Sequence, residues 1–139
     1  MTSSGKFVVA DPGAGRLVRF DDMTGAGWTV VALPAGVARP YGLTAATGHI
    51  LVTDVASSAV VRLNPDDSCE VLFASAVELS APVAAVWDGA TVLVADAGRA
   101  QLSRWELANG AWQRTDRLAG TTKALPGPEF TRVIGMVAT

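Results

Sequence analysis

A period of 42 to 43 residues runs through this chain, and no other feature restricts its fold as strongly. Phe7-Val8-Val9-Ala10-Asp11 returns as Ile50-Leu51-Val52-Thr53-Asp54 and again as Val92-Leu93-Val94-Ala95-Asp96, each run ending in aspartate. Eight residues after each aspartate stands an arginine in a second apolar run: Arg19 in Leu17-Val18-Arg19-Phe20, Arg62 in Val60-Val61-Arg62-Leu63 and Arg104 in Leu102-Ser103-Arg104-Trp105. A third run follows in each copy at 28–33, 69–73 and 112–118. Self-similarity at a fixed period means one supersecondary unit repeated, each copy burying its apolar surface against the next.

Short apolar and β-branched runs bounded by Gly, Ser, Asn and Asp predict strands. The turns between them, with Asp21-Asp22-Met23-Thr24-Gly25, Asn64-Pro65-Asp66-Asp67 and Asn109-Gly110, have suitable chemistry. A fourth run precedes the aspartate strand in the later copies, as Tyr41-Gly42-Leu43-Thr44-Ala45-Ala46 and Pro82-Val83-Ala84-Ala85-Val86. Four antiparallel strands in about forty residues predict the blade of a β-propeller. Blades stack face to face, which accounts for adjacent apolar residues where a half-exposed strand would alternate. The expected class is all-β, with three four-stranded antiparallel blades over residues 5–34, 40–75 and 82–118 forming a single half-propeller domain.

Pro40-Tyr41-Gly42-Leu43, Val94-Ala95-Asp96 and Arg19-Phe20-Asp21 together resemble the NHL repeat, and the likeness spans about residues 5–118. The chain departs from that pattern where Asn often precedes the second strand, having Gly15, Ser58 and Ala100 at the hairpin centres. Hairpins centred there would put Asp11 opposite Arg19, Asp54 opposite Arg62 and Asp96 opposite Arg104 as cross-strand pairs, a scaffold role suited to residues found in every copy.

Closed propellers have about four to eight blades, so three predict a partner. Blade 1 lacks a first strand, while residues 131–139 read as a first strand without a blade. The expectation is a homodimer in which each 131–139 strand completes the partner's first blade and closes a six-bladed ring. The competing expectation is a segment of a longer propeller chain.

Composition excludes several classes. With 17% charged residues and a net charge of -2, neither a disordered tail nor a nucleic-acid-binding domain is indicated. No apolar run reaches membrane-spanning length and residues 1–6 do not read as a signal peptide, so no membrane partner and a cytoplasmic location are expected. Cys69 is the only cysteine and is read as a small strand hydrophobe. His49, the only histidine, is read as a solvated turn residue. Pro12-Gly13-Ala14-Gly15 is read as a hairpin turn, because a strand rather than a helix follows it.

The resemblance implies two kinds of function. Lactonases and some lyases of related propeller type hold a metal in the central channel. The innermost strands here offer Leu43 to Ala46, Val83 to Val86 and residues 134–138 without one Asp, Glu, Asn or His, so no metal, no cofactor and no catalytic residue are expected. Loops on the expected top face carry Arg16, Arg39, Arg99, Lys123 and Arg132 against Glu78 and Glu129, whereas the bottom loops carry Asp21, Asp22, Asp66, Asp67 and Asp88. The leading expectation is a non-enzymatic scaffold that binds a small anionic ligand or a peptide through Arg16, Arg39, Tyr41, Arg99 and Arg132. The alternatives are a lactonase-like lyase or hydrolase, or a purely structural protein.

Overall fold

The computed structural model describes residues 7–46, 48–87 and 89–119, and it contains three antiparallel sheets. Sheet 1 has the described strands β1 (Phe7–Asp11), β2 (Arg16–Phe20) and β3 (Thr29–Val31) in sequence order. Sheet 2 contains β4 (Pro40–Ala46), β5 (His49–Asp54), β6 (Ala59–Leu63) and β7 (Cys69–Ala74), also in order. Sheet 3 repeats that arrangement with β8 (Pro82–Trp87), β9 (Thr91–Asp96), β10 (Gln101–Ala108) and β11 (Ala111–Ala119). The exchanged strand expected at 131–139 lies outside the described residues.

The hairpin register differs from the expected one. Asp11 pairs with Arg16, Asp54 with Ala59 and Asp96 with Gln101, which leaves Arg19 opposite Val8, Arg62 opposite Leu51 and Arg104 opposite Leu93. The proposed Asp–Arg cross-strand pairs are overturned. Gly15, Ser58 and Ala100 have φ of 68°, 53° and 49°, so each is the left-handed last residue of a four-residue turn and not its midpoint. Displacing the centre by one and a half residues moves each arginine three places along the partner strand.

Strand alternation sends each sheet's side chains to two faces. Val8, Ala10 and Leu17 of sheet 1 pack on Ile50, Val52, Val61 and Leu63 of sheet 2. The opposite face of sheet 2 presents Leu51, Val60 and Phe73 to Val92, Val94 and Trp105 of sheet 3. Phe73 and Trp105 stack with centroids 4.4 Å apart, and Trp112 tilts against Phe73 at 5.4 Å. Both layers are dry, with Val52, Val60, Val61, Val92 and Val94 wholly inaccessible. Sheet-on-sheet burial on this scale is what allows consecutive apolar residues in one strand.

The first strands of sheets 2 and 3 come together. A side chain at Gly42 of β4 would run into the Val83 carbonyl of β8 and meet Thr53 Oγ1 at 2.8 Å. Each of these strands begins with a buried proline, Pro40 or Pro82, followed by a register shift before Gly42 or Ala84. Proline is tolerated at the first residue of a strand and at bulges, where no ladder N–H is required.

Candidate functional site at the hairpin end of the sheets

The aspartates that close the three repeats knot this end together. Asp54 is fully buried; Oδ1 accepts from the Arg39 amide at 2.6 Å, and Oδ2 accepts from the Ser57 amide at 2.8 Å and hydroxyl at 2.5 Å. Asp96, equally buried, accepts from the amides of Ser80 (2.8 Å), Ala81 (2.9 Å), Gly98 (3.0 Å) and Arg99 (3.2 Å). Each carboxylate ties its own hairpin turn to the segment entering its sheet. Asp11 receives the Ala14 amide at 3.3 Å and Arg16 Nε at 3.2 Å, with its side chain 39% exposed.

These knots fix where the expected ligand-binding residues sit. Arg16 bonds Asp11 and lies 5.5 Å from the Trp28 ring centroid, on the face of sheet 1 opposite the one that packs on sheet 2. Arg99 donates Nη2 to the Val77 carbonyl at 2.5 Å and approaches Asp96 at 4.0 Å. Both guanidiniums are thus engaged in local structure. Arg39 differs: Asp54 and Val55 hold its backbone while its side chain is exposed. Tyr41, two residues on at the start of β4, is 53% exposed. Arg132 and Lys123 lie outside the described residues, and Glu78 is within 3.8 Å of Arg114.

At the other end Asp22 accepts the Thr24 amide at 2.8 Å and its hydroxyl, and Asp66 accepts the Ser68 amide at 3.0 Å and hydroxyl at 2.5 Å. Those hydroxyl bonds hold both carboxyls below the usual range for aspartate. His49 is not the solvated turn residue expected from its neighbours. It opens β5, half-buried, with its ring edge-on to Trp87 at 5.1 Å, and the two line a cavity of about 300 Å³ with Ala46 and Gly89. Trp87 belongs to the next sheet, so contact across sheets, not local sequence, decides the environment of His49. Cys69 lies in β7 against the first core layer, and burial pushes its thiol up from its ordinary value.

A second cavity of about 400 Å³ opens on that same face of sheet 1 between Val9, Asp11, Arg16, Val18, Phe20 and Trp28. Sequence reasoning passed over it, although Trp28 at the start of the third apolar run was the available signal. Among the described residues no group of three or more His, Cys, Asp or Glu is placed to hold a metal ion.

No protein-family profile matches the chain, and no curated protein matches it by sequence. Solved structures do. One assigned as a gluconolactonase shares 19% identity with a TM-score of 0.67 over 83% of this chain and 46% of its own. A streptogramin B lyase aligns at 19% identity and TM-score 0.63, covering 81% and 37%. Virginiamycin B lyase from Staphylococcus aureus aligns at 16% and 0.64, covering 93% and 41%. The fold is that of a β-propeller. The three antiparallel sheets are those of a propeller fragment. The chain spans less than half the length of these propellers. Among the described residues no helix is long and apolar enough to cross a membrane.

Proposed function

We propose that this chain supplies part of a small-molecule site in a propeller of the lactonase and lyase class, holding an anionic substrate at the hairpin end around Arg39 and Tyr41. The observation behind this reading is the division of labour among the basic residues: Arg16 and Arg99 are bound to local groups, while Arg39 is exposed on a backbone that buried Asp54 holds. A fixed support makes a better binding group than a mobile loop, because less entropy is lost on docking. The class comes from the structural neighbours, which include a protein assigned as a gluconolactonase and two lyases. The NHL-like repeat and the count of three blades fit the same reading.

A second reading is a binding module that performs no reaction on its small anion or peptide. Asp54 and Asp96, the buried carboxylates of this end, are committed to backbone amides and are not available as bases. Thermal unfolding with gluconate, phosphate and small organic acids tests the shared claim of anion binding. An anion at a hundred times its dissociation constant stabilises by about 2.7 kcal/mol, a rise in Tm of roughly 10 °C. Arg39→Glu is expected to abolish that rise and leave the unliganded Tm within a degree or two; an unchanged rise refutes the site. Turnover of gluconolactone or streptogramin B separates the enzyme from the binder.

A further inference from the structure

Repeat equivalence gives every position of one sheet a counterpart in the other two, and the counterparts obey one packing rule. The face carrying Val8 and Leu17 in sheet 1 is covered by sheet 2, and the face carrying their equivalents Leu51 and Val60 is covered by sheet 3. The reverse face of sheet 2, with Val52 and Leu63, receives sheet 1, and that of sheet 3, with Val94 and Trp105, receives sheet 2. Front face meets following rear face at both junctions.

Two faces remain without a described neighbour, and both keep the residue types of covered ones. On the rear of sheet 1, Val9 is 45% exposed, whereas Val52 and Val94 are at 0%. Val30 and Trp28 extend that apolar surface, and the 400 Å³ cavity forms its floor. On the front of sheet 3, Leu93 and Leu102 are half-buried, whereas Leu51 and Val60 are within 1% of full burial. Contiguous apolar surface of this kind marks an interaction site. The charges on both faces are arranged to tolerate cover. Asp11 bonds Arg16 within the rear face, and Arg104 stands opposite Asp116 in register on the front face, as ion-paired Arg62 stands opposite Glu70.

We infer that the rear face of sheet 1 docks on the front face of sheet 3 of a second copy of this chain, and that the reciprocal contact closes a ring of two copies. The occupant follows from continuity: the missing partner of each open face is the kind of face present at the chain's other end, and two identical copies satisfy both needs by a two-fold axis. The match of one chain to 46% of a related propeller gives two copies the extent of one such ring. This inference does not rest on the anion site.

Light scattering on the intact chain tests it, with an expected mass of twice 14.3 kDa at micromolar concentration. Val9→Arg and Leu102→Arg, one on each face, should each yield a single-chain species with an unchanged circular dichroism spectrum; Val30→Arg and Leu93→Arg stand in for either if it fails to fold. A mixture of the Val9 and Leu102 variants should recover a two-chain species, because one of its two junctions carries neither substitution. A wild-type monomer or an assembly larger than two overturns the inference. A dimer that survives Leu102→Arg but not Val9→Arg overturns it too, since that result means rear docks on rear.

Discussion

The residues that recur most faithfully here are structural, and their environments differ between copies in measurable ways. Asp96 satisfies four amides from a fully buried position, while Asp11 has one amide and one guanidinium and stands 39% exposed. Replacing Asp96 with Ala takes the shared, fully buried acceptor from four part-buried amide bonds and is expected to cost about 3 kcal/mol. The same change at Asp11 leaves groups that water can reach, and about 1 kcal/mol or less is expected. Urea unfolding of the two variants checks the contrast; equal losses contradict it. Recurrence in the sequence marked these aspartates as scaffold, but their partners were not legible. An amide acceptor and an arginine partner give the same pattern of letters, and only the turn conformation chooses between them.

Elements were legible in kind, and their register was not. Four runs per period with turn residues between them sufficed to read the strands. Whether Gly15, Ser58 or Ala100 was the middle or the end of its turn depended on backbone dihedrals that the residue types leave open. The same holds between β4 and β8, where Gly42 reads as a weak strand residue until its neighbour is known. With the Val83 carbonyl against it, Gly42→Ala must push β4 from β8, and about 2 kcal/mol of destabilisation is expected from overpacking. Ala at Gly25, which has open space around it and φ of 82°, should cost about 1 kcal/mol through backbone strain alone. Thermal or urea unfolding of the two variants separates packing from strain, and equal losses would argue against the close approach of β4 and β8.

At the scale of the molecule apolar layers join the sheets, and among the described residues Arg19 of sheet 1 makes a charged contact with Asp67 in the β6–β7 turn across a junction. Arg19, 5% exposed, brings Nε within 2.5 Å of Asp67 Oδ1 in the next sheet, though the N–H is not aligned on the oxygen. Asp67→Ala leaves that guanidinium buried without its counter-charge, and about 2 kcal/mol is expected, less than for a fully buried pair because the Asp67 side chain is 46% exposed. Arg19→Met keeps the apolar stem and removes the charge, so below about 1 kcal/mol is expected. Urea midpoints test the order; a larger loss for the methionine variant would show that the pair itself stabilises the junction. Of the candidate site, the basic residues and Tyr41 were visible in the sequence. That Arg16 turns to Trp28 and Arg99 to the Val77 carbonyl, while Arg39 is exposed, was not. The amino-acid sequence by itself determined the repeat, the strands and the propeller class, because period and apolar pattern act locally and recur. Which face meets which, which arginine side chain stays exposed and what surrounds His49 were decided by tertiary structure, because each depends on groups distant in sequence, from the Trp28 ring beside Arg16 to the Trp87 ring beside His49, that only the folded chain brings into contact.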